Sequence, residues 1–110
     1  MTVTTKELIN SKYVELSVAE QFTASGVTII DKITVTNTTS STSLFSLNLT
    51  TVNENASTSN LIIDSHPIRP RESYTCPEVV GHVLDDGSKI YAKSSVASSL
   101  VLRASGRVIT

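Results

Sequence analysis

Two histidines, His66 and His82, one cysteine, Cys76, and an acidic pair, Asp85-Asp86, are the side chains of this chain best suited to chemistry. Cys76 and His82 would form a nucleophile–base pair if the fold brought thiol and imidazole together. Cys76, however, ends an alternating stretch, Arg71 to Cys76, where it reads as a small buried apolar residue. Neither histidine belongs to a His-x-x-x-His pair or to a Cys-rich or acidic cluster at metal-ligand spacing. Asp85-Asp86-Gly87 is explained by turn chemistry, with Gly87 free to take a positive φ. The serine runs Ser94-Ser95 and Ser98-Ser99 have no Lys or His at a spacing known to activate a hydroxyl. With four glycines, the chain holds no Gly-x-Gly-x-x-Gly and no P-loop. The expectation is a protein that is not an enzyme, with no catalytic residue, no cofactor and no metal.

The elements that carry these residues read as strands. At 110 residues the chain is of single-domain length, long enough to bury roughly two thirds of its unfolded surface. Ser and Thr make up more than a quarter of it and Trp is missing. Abundant Thr and Val, without clusters of Ala, Glu or Lys, favour strand over helix. The net charge of −1 gives no broad attraction to nucleic acid or anionic lipid. The lone cysteine excludes an internal disulfide and fits a reducing compartment. The first residues carry no apolar core of signal-peptide length, and no stretch approaches the roughly 20 apolar residues of a membrane span. The three Asn-x-Ser/Thr sequons read as chance in a chain rich in those residues.

Alternation places Val14, Leu16 and Val18 on one face, and sets Ile33 and Val35 against Thr34 and Thr36. Leu44 to Val52 is the clearest strand, with Phe45, Leu47 and Leu49 on one side and Ser46, Asn48 and Thr50 on the other. Leu61-Ile62-Ile63 reads as a run buried on both faces. Asp64 to Pro70 holds two prolines and is excluded from a central strand. Glu78 to Leu84 has a helix-like touch of a turn or two, and Ser99 to Ser105 is the last long strand. Turn signals near every tenth residue predict an all-β antiparallel β-sandwich, jelly-roll-like, of seven or eight short strands. Residues 1–11 are expected to be an N-terminal arm and residues 12–110 a single sandwich domain. Arg69, Arg71, Lys89, Lys93, Arg103 and Arg107 come together if the last strands pair, and read as a solvated sheet face.

The segment from Tyr74 through Pro77, Leu84 and Asp85-Asp86-Gly87 to Ile90-Tyr91-Ala92 resembles a pattern in small virion structural proteins of tailed bacteriophages. There, a strand ends in Pro or Leu, a short apolar turn ends in Leu, and an acidic-Gly turn leads into an Ile-x-Ala strand. Leu100 to Ile109 resembles the closing strand, with Ser105-Gly106 before a short apolar tail. Ile29 to Asn37 resembles the strand running into a polar Asn-Thr turn. The likeness spans Gln21 to Thr110. The family's commoner turn is acidic-Ala-Gly-Asp, where this chain has Asp85-Asp86-Gly87-Ser88.

This resemblance implies a β-sandwich of the capsid cement or decoration type, which binds and stabilises the shell of the major capsid protein. It implies a virion location on the capsid surface, synthesis in the host bacterial cytoplasm, and a homo-oligomer, dimer or trimer, with no direct nucleic-acid or membrane contact. A head-to-tail connector, neck or tail ring subunit is the alternative within the class. A carbohydrate- or receptor-binding β-sandwich module is the alternative outside it. The interface residues expected are Thr2, Val3, Leu8 and Ile9 in the arm, and His66, Ile68, Arg69 and Arg71 in the loop from Asp64 to Arg71.

Overall fold

The computed structural model describes residues 2–110. Nine strands form: β1 (Val3–Tyr13), β2 (Ala19–Thr23), β3 (Val27–Asn37), β4 (Ser43–Thr50), β5 (Leu61–Ile68), β6 (Ser73–Tyr74), β7 (Val83–Leu84), β8 (Lys89–Ser94) and β9 (Leu100–Ile109). Short 3₁₀ turns occupy Thr58–Asn60 and Pro77–Val79. The strands make two antiparallel sheets. One runs β1-β9-β3-β6, with β7 also on β3, and the other runs β2-β8-β4-β5. The pairing is nested: β1 with β9, β2 with β8, β3 with β6 and β4 with β5, each pair inside the one before in sequence. A hairpin rolled up on itself gives this order, so the expected sandwich is a jelly roll, with β7 as an added short strand.

The core follows from period-two patterning. Ile30, Ile33, Val35, Leu100, Leu102 and Ala104 of the five-stranded sheet face Phe45, Leu47, Ile68, Ile90 and Ala92 of the four-stranded one, and all are essentially inaccessible. Burying each of the larger side chains contributes about 1.5–3 kcal/mol.

Where the chain passes from one sheet to the other, a single peptide step does the work. Val14 N–H bonds Leu100 O at 2.9 Å, while Glu15 O accepts from Ser94 N at 2.9 Å. Val14 therefore still points inward, whereas Leu16 and Val18 lie exposed on the far side. This corrects the single-face reading of Val14, Leu16 and Val18: the link turns between them. The serine loop is structural too. Ser94 Oγ donates to Val14 O at 3.1 Å, and Ser99 Oγ donates to Val96 O at 2.6 Å. Ser99 has then used its proton, so Ser43 Oγ is the donor in the 2.9 Å bond between the two buried hydroxyls.

Residues 3–13, expected in large part to be an arm, form the edge strand β1, paired with β9 from Val3↔Ile109 to Tyr13↔Val101. Its first five residues are exposed, so no alternation marked them as strand. β5 runs through Pro67 at the outer edge of its sheet, where a missing N–H breaks no ladder bond. Leu61 and Ile62 are half-buried rather than enclosed on both faces. The helix-like segment resolves into the 3₁₀ turn at Pro77–Val79 and the two residues of β7. No helix among the described residues is long and apolar enough to cross a membrane.

Candidate interaction surface

The residues picked for chemistry are dispersed. Cys76 is fully buried, in the left-handed conformation at φ 48°, and its thiol points to the carbonyl of Tyr74. Burial pushes that thiol up to about 12, with the nearby Glu78 carboxylate adding to the rise. His82 sits exposed in the turn before β7. Among the described residues, no group of three or more His, Cys, Asp or Glu side chains is placed to hold a metal ion. Asp85 and Asp86 serve the turn. Ser88 N–H bonds Asp85 O, and Asp86 Oδ1 accepts from Gly26 N at 2.9 Å.

The expected interface residues divide in three. Thr2 and Val3 are exposed at the start of β1. Arg69 and Arg71 are exposed in the β5–β6 connection, and Arg69 pairs with Glu72 at 3.3 Å. Leu8, Ile9 and Ile68 belong to the core, which corrects their assignment to a surface: β1 and β5 each turn them inward. His66 is half-buried under Tyr74. The two exposed groups lie at opposite edges of the five-stranded sheet, since β1 is one edge and β6 the other. The basic side chains do not form one face. Arg103 and Arg107 stand on β9 and pair with Glu7 and Asp31, each at 3.0 Å. Lys89 and Lys93 stand on β8 of the other sheet.

Two surface features were missed by sequence reading. The first is a groove on the outer face of the four-stranded sheet. Two depressions of about 320 and 280 Å³ share Ser46 and Lys93. Val18 and Leu61 border one, Leu16 and Leu44 the other. Lys93 makes no ion pair among the described residues. The groove exists because the β4–β5 loop folds back over its own sheet. Asn48 Nδ2 donates to Ser57 O at 2.9 Å and to Asn60 Oδ1 at 2.8 Å, which buries the polar side of β4.

The second is an apolar stripe on the outer face of the five-stranded sheet. Directly paired residues share a face. Val3, Ile109 and Val27 make one row, and Thr5, Arg107, Ile29 and Val83 the next. Val3 and Val83 are each 57% exposed, and the residues between them are half-buried or exposed. Arg107, the one charge within it, is turned to Asp31 by two bonds from Nε at 3.1 Å. The signal for both features was present in the sequence, as apolar residues on the side of a strand opposite its core face. It becomes legible only once the register is known.

Apolar side chains border both features. No aromatic ring lines the groove on which a sugar could stack. A search of protein-family models, curated proteins and solved structures finds no match for this chain.

Proposed function

We propose that this chain is a structural subunit of a tailed-bacteriophage particle, of the cement or decoration type, which binds the assembled shell of the major capsid protein. The observation that carries the reading is the apolar stripe from Val83 to Val3, which runs out to the open edge of a jelly roll. A rigid sandwich that presents such a surface is suited to bridging neighbouring proteins. Jelly rolls also serve as capsid and lectin domains, so the fold supports the reading by analogy only. Binding the closed shell and not the free capsid protein stabilises the shell by mass action.

The test is a mass-spectrometric copy count in purified particles, with binding of the chain to pre-assembled shells. Cement predicts hundreds of copies and saturable binding to shells. Six or twelve copies would make it a ring subunit of the neck or tail, and none would remove it from the particle.

A further inference from the structure

Sheet edges in soluble proteins are normally guarded against pairing with other chains, by bulges, prolines, charges or shortness. Three of the four edges here are guarded. β5 carries Pro67 and a left-handed Ser65 at φ 50°. β2 has five residues, a register shift between Glu20 and Phe22, and the charge of Glu20. β6 and β7 have two residues each. The fourth edge, β1, is guarded over its second half by register shifts between Glu7 and Ile9 and between Ile9 and Lys12. Lys6 and Glu7 add charge before those shifts, which leaves its first three residues, Val3-Thr4-Thr5, without a guard. All three residues are β-branched, uncharged, exposed and regularly paired with β9.

The backbone groups on offer follow from the ladder. Thr2 and Thr110 exchange both N–H···O bonds, at 2.8 and 2.9 Å. Alternation along an antiparallel pair then directs Thr4 and Lys6 inward to β9, and Val3, Thr5 and Glu7 to the free edge.

We infer that this edge pairs with the same edge of a second copy, antiparallel about a two-fold axis at Thr4. In that register Val3 bonds Thr5 of the other copy twice over, and Thr4 lies opposite Thr4. Moving the axis to Lys6 or Glu7 would oppose like charges, which is destabilising. An axis at Thr5 would set Val3 against Glu7, which is held by Arg103 at 3.0 Å. The axis at Thr4 opposes only β-branched residues at its centre and runs the apolar rows of both copies into one continuous face. A self-complementary edge of this kind needs no other partner. The inference goes beyond the particle reading and is tested on the purified chain alone, so the two can fail separately.

The register makes the test specific. Across the axis, Thr4 and Thr4 form a non-hydrogen-bonded pair with Cα atoms about 4.5 Å apart, within disulfide reach. Thr2 lies four residues from its own mate, about 13 Å along the strand. Under mild oxidation Thr4→Cys should cross-link to a covalent dimer and Thr2→Cys should not. Thr5→Pro removes an N–H that no bond within the chain uses, and should raise the dissociation constant by at least about tenfold in sedimentation equilibrium, at unchanged secondary structure. If Thr5→Pro does not fold, Thr5→Lys replaces it at the same exposed position. A wild-type chain that stays monomeric at its solubility limit overturns the inference. So does equal cross-linking of the two cysteine variants, or a folded Thr5 variant that dimerises as tightly as wild type.

Discussion

The ring of His66 stacks on the ring of Tyr74, with centroids 3.8 Å apart and planes within 17°. His66 is on β5, an edge of the four-stranded sheet, and Tyr74 is on β6, an edge of the five-stranded one. The stack therefore closes one open side of the sandwich. Tyr74 Oη donates to Glu78 Oε1 beyond it. That bond holds the Glu78 carboxyl below its ordinary range, helped by the nearby His66. Stacking of this kind contributes about 0.5–1.5 kcal/mol beyond area burial. His66→Ala should thus cost about 1 kcal/mol in urea unfolding. Tyr74→Phe keeps the stack and loses a solvent-exposed bond, so it should cost less than about 1 kcal/mol. Equal losses would mean that the ring contact carries no weight.

The same corner sets an alkaline limit. Burial raises the Cys76 thiol from 9.0 to about 12, and it also raises the Tyr74 hydroxyl, which Glu78 further favours in its protonated form. The folded state therefore keeps protons that the unfolded state releases. The stabilisation is complete below pH 9 and falls as pH rises from 9 towards 12. Over that window Cys76 alone should give a slope of roughly 1 kcal/mol per pH unit. Unfolding free energies between pH 7 and 12 test this. Cys76→Ser should flatten the loss, since a hydroxyl does not titrate there; an unchanged slope would clear Cys76.

Gly106 stands in the middle of β9, facing Lys6 on β1 and Ile30 on β3. Both neighbouring strands change register beside it, between Glu7 and Ile9 and between Ile30 and Lys32. A Cβ at this position would run into the carbonyl oxygen of Ile29 and come within 2.9 Å of Leu8 Cδ1. Backbone cannot yield as a flexible side chain can. Gly106→Ala should therefore cost about 3 kcal/mol, at the upper end of the range for overpacking. A fall in melting temperature of only a degree or two would show that the sheet shifts freely at its bulges.

The segment from Asp64 to Arg71, the second half of β5 and the start of the β5–β6 connection, mixes two kinds of residue that its sequence does not separate. Ile68 is fully buried, whereas Arg71 is exposed at φ 63°. Ile68→Ala should cost about 2–5 kcal/mol, as a core truncation does. Arg71→Gly should be neutral or slightly stabilising, because glycine adopts the left-handed region without strain. Thermal unfolding of both variants checks the division; a stable Ile68→Ala would place that side chain at the surface after all.

What could be read in advance was whatever depends on one strand at a time. Phe45 and Leu47 stood out because alternation is a local property, and the turn at Asp85-Asp86-Gly87 because turn chemistry is too. β1 was not legible: its first five residues are exposed on both faces, so no periodic signal exists in them. The nested order was equally out of reach, because β1 meets β9 across nearly the whole chain. The candidate surface suffered most. Val3, Ile109, Val27, Ile29 and Val83 come from four strands, and only the register shows that they share a face.

Ser46, Asn48 and Thr50 show a different limit. Alternation in β4 correctly opposes them to Phe45, Leu47 and Leu49, yet all three are buried, because a loop covers that face. Asn48 is the tether. Its amide gives both N–H groups to the loop, at Ser57 O and Asn60 Oδ1, and Asn60 passes the link on to Asn55 O at 2.9 Å. Removing it takes one of two donors from each acceptor, since Asn60 N–H still reaches Ser57 O at 3.3 Å and Ser57 N–H still reaches Asn60 Oδ1 at 3.0 Å; each lost bond is worth about 1 kcal/mol. Asn48→Ala should thus cost about 2 kcal/mol and release the loop. Asn48→Asp should cost more, because it sets a carboxylate against two oxygen acceptors where a double donor stood. Amide hydrogen exchange in residues 51–60 should speed up in both variants while exchange in β3 and β9 stays unchanged. If the loop remains protected, its position over the sheet is set by Leu61 and Ala56 packing, and the groove beside Lys93 does not depend on Asn48.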